Sequence, residues 1–407
     1  MLLQQIRARC LHPPAAIPSF LRQRATALSL LNARRTFTTQ PESGSYIHLA
    51  TRGLLEIHGK DASKFLQGLI TNHMPRIEQG GSGFLAAFLS PKGRVMYDVF
   101  VHPLHGPAKE TGAAEPAYLI ECDARALPEL HSHIARFVLR SKVKLVGVTE
   151  SYDVYSALED DPVVTPLTPS TVGANNAVSV DEGSVQSTLG SFGATIGLKD
   201  TRADGLMGYR FILPKGQKPT MPETYRVGKL EDYHVRRILN GIPEGIDDFI
   251  AGASLPLECN LDYMRGVDFR KGCYVGQELT IRTYHKGIVR KRIMPVQYYK
   301  PEDPEPRHIT YKKGDASVVP PQSELHPAKI GSTLGDPTSS TSSARPVRAS
   351  GKTGSNIGNI GLALLKLDQV AEGQLFEVMD REGATVRAKA FFPSWWPQEE
   401  PTEQQEN

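Results

Sequence analysis

Two apolar runs, Phe84 to Leu89 and Val95 to Val101, flank Pro91-Lys92-Gly93. That arrangement predicts a β-hairpin, because proline presets φ in the turn and glycine supplies the reversal. The neighbouring segments read in the same way. Leu54 to Ile57 is a short strand and Gly59 to Ala62 a turn, with Asp61 a candidate helix cap. Phe65, Leu66, Leu69 and Ile70 then recur at helical spacing until Met74-Pro75, where proline ends the pattern. Tyr118 to Glu121 reads as a strand, Ala124 to Leu139 as a helix with Leu127, Leu130, Ile134 and Val138 on one side, and Lys142 to Val148 as a half-buried strand. Hairpins mixed with helices and longer connections predict an α+β domain built on antiparallel sheets.

A helix from Tyr233 stops at Gly241-Ile242-Pro243, and beyond Lys286 the pattern changes to strands alone. Those strands are Ile288 to Tyr298, Gly358 to Leu364, Phe376 to Met379 and Thr385 to Phe391, and they predict a small β-barrel. Two stretches, 162–176 and 336–356, are rich in Ser, Thr, Pro and Gly and read as mobile surface insertions. Trp395-Trp396 reads as a packing anchor of the barrel. The expected organisation is a leader at 1–43, an α+β core at 44–287, a barrel at 288–393 carrying the 336–356 insertion, and an acidic tail at 394–407.

Charge separates the leader from the body. Arg7, Arg9, Arg22, Arg24, Arg34 and Arg35 all precede the first acid, Glu42, while the 407-residue chain carries only +3. A Leu-, Ser- and Arg-rich leader without acids predicts a mitochondrial transit peptide and a matrix location. The body is then slightly acidic, which argues against a nucleic-acid footprint. No run reaches the roughly 20 apolar residues of a membrane span. Cys122, Cys259 and Cys273 follow Cys10 at wide spacings with no C-x-x-C, so neither a disulfide framework nor a self-contained metal clip is expected. Gly331 to Gly335 lacks the G-x-x-x-x-G-K-[ST] of a phosphate loop.

The most specific local feature is Arg270-Lys271-Gly272-Cys273-Tyr274-Val275-Gly276-Gln277-Glu278. A cysteine between two glycines predicts an accessible thiol, since glycine admits positive φ and close approach of a ligand. Arg270 and Lys271 beside it would favour thiolate, the form that ligates iron or attacks an electrophile. The alternative is a glycine-bounded turn in which Cys273 is a small buried hydrophobe.

The segment Lys271 to Glu278 resembles the signature of the YgfZ-like, aminomethyltransferase-related folate-binding family, which includes a mitochondrial iron-sulfur assembly branch. Further segments carry the resemblance in order: Gly59-Lys60-Asp61-Ala62, Phe65-Leu66-Gln67, Thr71-Asn72, Leu89 to Arg94, Gly208-Tyr209-Arg210, Gly241 to Gly245, Pro256-Leu257-Glu258, Asn260-Leu261-Asp262 and Ile360 to Ala363. The resemblance implies a core like the T-protein of glycine cleavage, with α+β subdomains around a folate-binding opening and a small C-terminal β-barrel. It implies a late role in making [4Fe-4S] clusters for enzymes such as aconitase and lipoate synthase, with A-type scaffold proteins as partners. Cys273 would be the functional cysteine and ligand to a cluster shared with a partner. Lys271, Gly272, Tyr274, Gly276, Gln277 and Glu278 would form the binding loop around it, and tetrahydrofolate would be the cofactor.

Two departures set this chain apart from aminomethyltransferases. Where they carry adjacent aspartates it has Tyr97-Asp98, and the segment Asp204 to Gly208 lacks the pterin-binding glutamate, a loss of about 1.5–3 kcal/mol of charge-assisted hydrogen bonding. Folate-dependent one-carbon transfer is therefore the second reading and glycine cleavage is not expected. Asp98 is a candidate general base or pterin contact, or else a strand-end acid paired with Arg94. Arg202 and Arg210 are candidate forks for the carboxylate tail of a folate, or else ordinary surface arginines. His285 reads as a solvated histidine. Cys259 is the only sequence neighbour that could resolve a disulfide with Cys273.

Overall fold

The computed structural model describes residues 43–78, 81–104, 115–160, 181–314, 319, 322–328 and 349–397. The leader, the 162–176 insertion, Gly331 to Gly335, most of the 336–356 insertion and the end of the acidic tail lie outside the described residues.

The core begins with β1 (Gly44–His48), β2 (Arg52–His58), α1 (Ala62–Gln67) and α2 (Pro75–Glu78). Then come β3 (Phe84–Leu89), β4 (Val95–Pro103), β5 (Ala117–Asp123), α3 (Leu127–Val138) and β6 (Lys144–Gly147). It continues through β7 (Tyr152–Glu159), α4 (Glu182–Ser191), β8 (Ile196–Lys199), β9 (Tyr209–Pro214), β10 (Tyr225–Val227) and α5 (Leu230–Leu239). A long turn-rich segment leads to α6 (Gln277–Lys286).

Two five-stranded sheets result, ordered β3-β4-β5-β2-β6 and β10-β1-β7-β9-β8. The expected hairpin is β3 and β4, paired antiparallel from Phe84↔Val101 to Leu89↔Val95. All six residues of β3 are buried. Alanines at 86 and 87 keep it thin enough to be covered on both faces. Pairing is antiparallel throughout the first sheet, as expected, and in the second it is antiparallel except between β1 and β10, which run parallel. On α3, Leu130 and Ile134 are fully buried against the first sheet, as the apolar stripe required. Asp61 does not cap α1. Its carboxylate instead accepts from the Lys142 backbone N–H at 2.7 Å, tying the turn before α1 to the start of β6.

The barrel comprises β11 (Lys291–Tyr299), β12 (Glu324–Pro327), β13 (Gly351–Ile357), β14 (Ile360–Lys366), α7 (Leu367–Ala371), β15 (Phe376–Met379) and β16 (Thr385–Ala390). Its strands close in the order β11-β14-β13-β12-β15-β16. The end of the expected 336–356 insertion is corrected here, because from Gly351 onward it is barrel strand. Low-complexity composition concealed it: β13 reads Gly-Lys-Thr-Gly-Ser-Asn-Ile. Its polarity is used at the junction with the core and its glycine allows close strand contact, since a Cβ at Gly351 would lie 1.9 Å from the Leu364 carbonyl oxygen.

Barrel and core are locked by buried polar contacts. Arg237 on α5 pairs with Asp248 at 2.7 Å and donates to Ser355 Oγ on β13 at 2.8 Å. Ser355 in turn donates its backbone N–H to Asp248. On the other side Arg292 of β11 pairs with Asp262 at 2.7 Å and stacks on Tyr263 at 3.7 Å. Trp395 donates to the Asn240 carbonyl at 2.7 Å, and Trp396 packs on Tyr263, so the tryptophan pair, expected to close the barrel, packs against the core. Among the described residues no helix is long and apolar enough to cross a membrane.

Candidate functional site

The signature loop is assembled from segments that are distant in sequence. Lys271 turns its ammonium inward, donating to the backbone carbonyls of Gln67 at 2.8 Å, Ile70 at 2.6 Å and Asn72 at 2.9 Å. Thr71 and Asn72 reach back to the carbonyls of Gly266 and Arg265 at 2.6 and 2.9 Å. The Val275 N–H donates to the Gly68 carbonyl at 3.0 Å. The exit of α1 and the signature loop therefore brace each other.

The turn of the first hairpin closes the other side. Gly276 has φ +79, and a Cβ there would lie 2.3 Å from the Ser90 carbonyl oxygen. Opposite it, Gly93 at φ +74 leaves no room for a Cβ beside the Gly276 carbonyl and Leu279. Both glycines are required by positive φ and by backbone contact. Gly272 is different, since a Cβ at that position would meet nothing within 4 Å. It leaves open space next to the thiol.

Between these anchors Cys273 is exposed, whereas Cys122 and Cys259 are buried. The accessible thiol expected from the glycines is present, but Lys271 beside it acts otherwise than expected. Lys271 is spent on three carbonyls and is not directed at the sulfur. Burial pushes its ammonium down to about 8, which still leaves it protonated at neutral pH. Tyr274 is buried beneath it with the Lys271 Nζ 4.7 Å from the ring centre. The Gln277 side-chain carbonyl accepts from the Tyr274 N–H at 3.2 Å, and Glu278 is exposed on the first turn of α6. Tyr284, farther along α6, stacks on Phe269 with centroids 3.6 Å apart. His285 is exposed, as read.

Replacing Lys271 with methionine is expected to leave three inward carbonyls without a donor. At roughly 1–3 kcal/mol for a buried polar group stripped of its partner, a loss of about 2–4 kcal/mol should appear in urea unfolding. Protease cleavage near residues 265–275 should also accelerate. Unchanged stability and cleavage would show that the loop is held by other contacts.

Cys259 does not serve as a resolving thiol in this arrangement. Burial pushes its thiol far up, and burial pushes that of Cys122 up to about 12, so both stay protonated and enclosed. Among the described residues there is no group of three or more His, Cys, Asp or Glu side chains positioned to hold a metal ion.

Asp98, Arg202 and Arg210 come together elsewhere, inside the core. Both arginines are 1% exposed. Arg202 forks onto Asp200 at 2.6 Å and reaches Glu244 at 2.8 Å, and Arg210 binds Glu121 and reaches Glu244 at 2.9 Å. Arg52 adds a 2.7 Å contact to Glu121, while the Tyr233 hydroxyl donates to Glu244 at 2.6 Å. The Phe100 ring lies 4.8 and 4.2 Å from the guanidinium carbons of Arg202 and Arg210. Burial works against the charge on Glu121 and Glu244, but Arg210 and Arg52 outweigh it and hold both carboxyls well below the usual range.

The open arginine forks expected for a folate tail are therefore corrected. These guanidiniums already have carboxylates of their own, because a buried arginine must be paired. Asp98 is not paired with Arg94, which donates to the Ala253 carbonyl instead. Its carboxyl receives the Gly245 N–H at 3.2 Å, and burial pushes it up to about 6. A cavity of about 290 Å³ lies nearby, lined in part by Arg76, Phe84, Phe100, Lys199, Asp200 and Arg265. Asp98, Arg202, Arg210 and Cys273 are not among its lining residues. Arg202 and Arg210, each bound to buried carboxylates, are thus not free to hold the carboxylate tail of a folate. Sequence reading missed Glu121, Glu244 and Asp200 as partners, since nothing local marks acids that meet only across two sheets. Glu121 ends the strand read at Tyr118 to Glu121 and Glu244 lies in the segment Gly241 to Gly245, but neither segment marks its acid as a partner of these arginines.

Comparison with known proteins agrees with this architecture. Residues 290–398 match the family described as CAF17, C-terminal beta-barrel domain. The fold is similar to the glycine cleavage system aminomethyltransferase T from Bartonella henselae, with TM-score 0.53 and 10% identity over 88% of each chain. The sequence is 38% identical to the iron-sulfur cluster assembly factor IBA57 homolog of Aspergillus clavatus, over 97% of this chain and 84% of that one. It is 35% identical to human IBA57, over 85% and 83%, and 35% identical to the Mycosarcoma maydis homolog, over 86% and 84%. With identity at this level running through both the core and the barrel, the chain belongs to the IBA57 family of mitochondrial proteins.

Proposed function

We propose that this protein is an iron-sulfur cluster assembly factor of the mitochondrial matrix, acting late in the maturation of [4Fe-4S] clusters for enzymes such as aconitase and lipoate synthase. Its partner is an A-type scaffold protein, and Cys273 is the ligand it presents. The observation that carries the reading is the pairing of an exposed thiol with a rigid backbone frame: Cys273 is open to solvent while Lys271, Val275 and Gly276 on either side are fixed. The relatives' shared name as assembly factors supports it.

The cluster is cargo here, and a single thiolate supplies one of its ligands. Ligation requires Cys273 to release its proton, and the remaining ligands come from the scaffold. Gly272 leaves the approach to the sulfur free of side-chain bulk. The folate-dependent transferase reading finds no support in Arg202 or Arg210, whose charges are neutralised within the core.

The test is Cys273→Ser in a host lacking the endogenous protein. Aconitase activity and protein lipoylation are expected to fall at least tenfold toward the level of the empty host, with the variant present at normal abundance. In parallel, anaerobic mixing of the wild-type chain with cluster-bearing scaffold should change the scaffold's visible absorbance spectrum, a change that the serine variant does not give. Full recovery of both enzyme readouts by the serine variant would defeat the ligand role.

A further inference from the structure

Residues 270–291 hold six Lys or Arg against one acid, Glu278, a local excess larger than the net +3 of the whole chain. Lys271 is consumed internally, and Lys291 lies close enough to Glu258 to favour its charge. Arg270, Arg282, Lys286 and Arg290 are exposed, as is Lys92 at the hairpin turn, and none has a carboxylate within ion-pair distance among the described residues.

These groups share one side of the molecule. The turn bearing Lys92 abuts the start of α6 through Gly93 against Gly276 and Leu279. Arg282 and Lys286 follow Glu278 at four-residue intervals, which places them along one face of α6. Arg290 and the 59%-exposed Ile288 continue just past its end. Cys273 lies in the loop that leads into this helix. Cations that stand unpaired around an exposed apolar side chain and a reactive group describe a docking surface, because the protein itself makes no use of their charge.

We infer that the basic face of α6, with Lys92 and Arg270 at its edges, is the docking surface for an acidic protein face on the chain's cluster-bearing partner. The inference rests on the proposed function for the partner's role and adds the chemistry of recognition. Carboxylates on the partner would meet Arg282, Lys286 and Arg290, Ile288 would be covered at the contact, and Cys273 would be brought to the partner's cluster. A cluster held by thiolates is itself anionic and adds to the same attraction. The acidic body of the chain would repel such a face in other orientations, so the basic strip selects the orientation that delivers the sulfur.

The experiment measures binding of the full chain to an immobilised, cluster-bearing A-type scaffold, with Arg282→Glu/Lys286→Glu compared to wild type. Association by wild type is expected to slow several-fold between about 50 and 300 mM KCl, as screening shortens the reach of exposed charges. The double charge reversal should slow association about tenfold or more at low salt, with dissociation less affected. Arg282→Gln/Lys286→Gln should fall between, and thermal midpoints of all three should agree because both side chains are exposed. Cys273→Ser should associate at the wild-type rate while giving no shared-cluster spectrum. Loss of that spectrum without loss of association therefore separates the two ideas, and a serine variant that keeps the spectrum would defeat the ligand role alone.

A charge-reversed chain that associates at the wild-type rate would overturn the docking surface. So would tighter, salt-sensitive binding of the wild-type chain to single-stranded RNA or to cardiolipin vesicles than to the scaffold. Faster association after removal of 398–407, which carries four glutamates and no cation, would make the chain's own tail the occupant and would equally overturn it.

Discussion

Glu244→Ala is expected to cost about 3–5 kcal/mol of folding stability, the range for removing one partner from a buried ion pair. Its carboxylate accepts from Arg202 at 2.8 Å, Arg210 at 2.9 Å and the Tyr233 hydroxyl at 2.6 Å, and Arg52 lies 3.8 Å away. Removing it leaves Asp200 and Glu121 to neutralise three buried guanidiniums. The excess cation has nowhere to go, because arginine does not shed its proton inside a protein. Glu244→Gln keeps an acceptor and loses only the charge, so it should destabilise less than the alanine variant. Urea unfolding of the three chains checks the order. Equal midpoints for wild type and the alanine variant would mean that water replaces the carboxylate.

The second large effect concerns pH. Burial raises Asp98 to about 6 from an ordinary value of 3.8. Between roughly pH 4 and 6 the folded chain keeps a proton on this carboxyl that the unfolded chain has released, so stability falls as pH rises through that window. The loss is about 3 kcal/mol by pH 7 if the whole displacement is expressed. Below pH 4 the group is neutral in both states and contributes nothing to the slope. Asp98→Asn, which keeps an oxygen for the Gly245 N–H, removes the titration. The variant should therefore gain on wild type by roughly 2–3 kcal/mol as pH is raised from 4 to 7. Glu121 and Glu244 have the opposite sign, being held low by Arg210 and Arg52, and their contribution is lost only in acid. It is common to both chains and cancels in the difference. A difference between wild type and variant that stays flat with pH would mean that Asp98 is ionised in the folded protein throughout.

These two predictions fall on residues of different legibility. Asp98 could be singled out from sequence because it follows Tyr97 on a strand that the hairpin pattern already located. Its partner could not be inferred, and Arg94 was the nearest candidate in the chain. The structure gives Arg94 to the Ala253 carbonyl and supplies Asp98 with a backbone N–H from residue 245. Arg202 and Arg210 show the same limit. A guanidinium announces that it will bind an anion, but whether that anion is a ligand or an acid of the same protein depends on which sheets pack together. The helix α6 was likewise not anticipated, because its stripe of cations and polar residues leaves only Thr280 fully buried and offers little apolar periodicity.

The hairpin, the helix with Leu130 and Ile134, the strand-rich C-terminal domain and the glycine-framed cysteine are local matters. Period and turn chemistry decide them within a few residues, and the family resemblance rests on the same short segments. Tertiary structure decided the rest: that Gly93 and Gly276 face each other, that Lys271 turns away from the thiol to hold three carbonyls, that a polar stretch at 351–357 closes the barrel, and that two arginines are sealed against acids. Each is a choice between partners remote in sequence. The free energy of a buried charge or a donated hydrogen bond is set by what stands opposite it, and the side chain alone does not specify that neighbour.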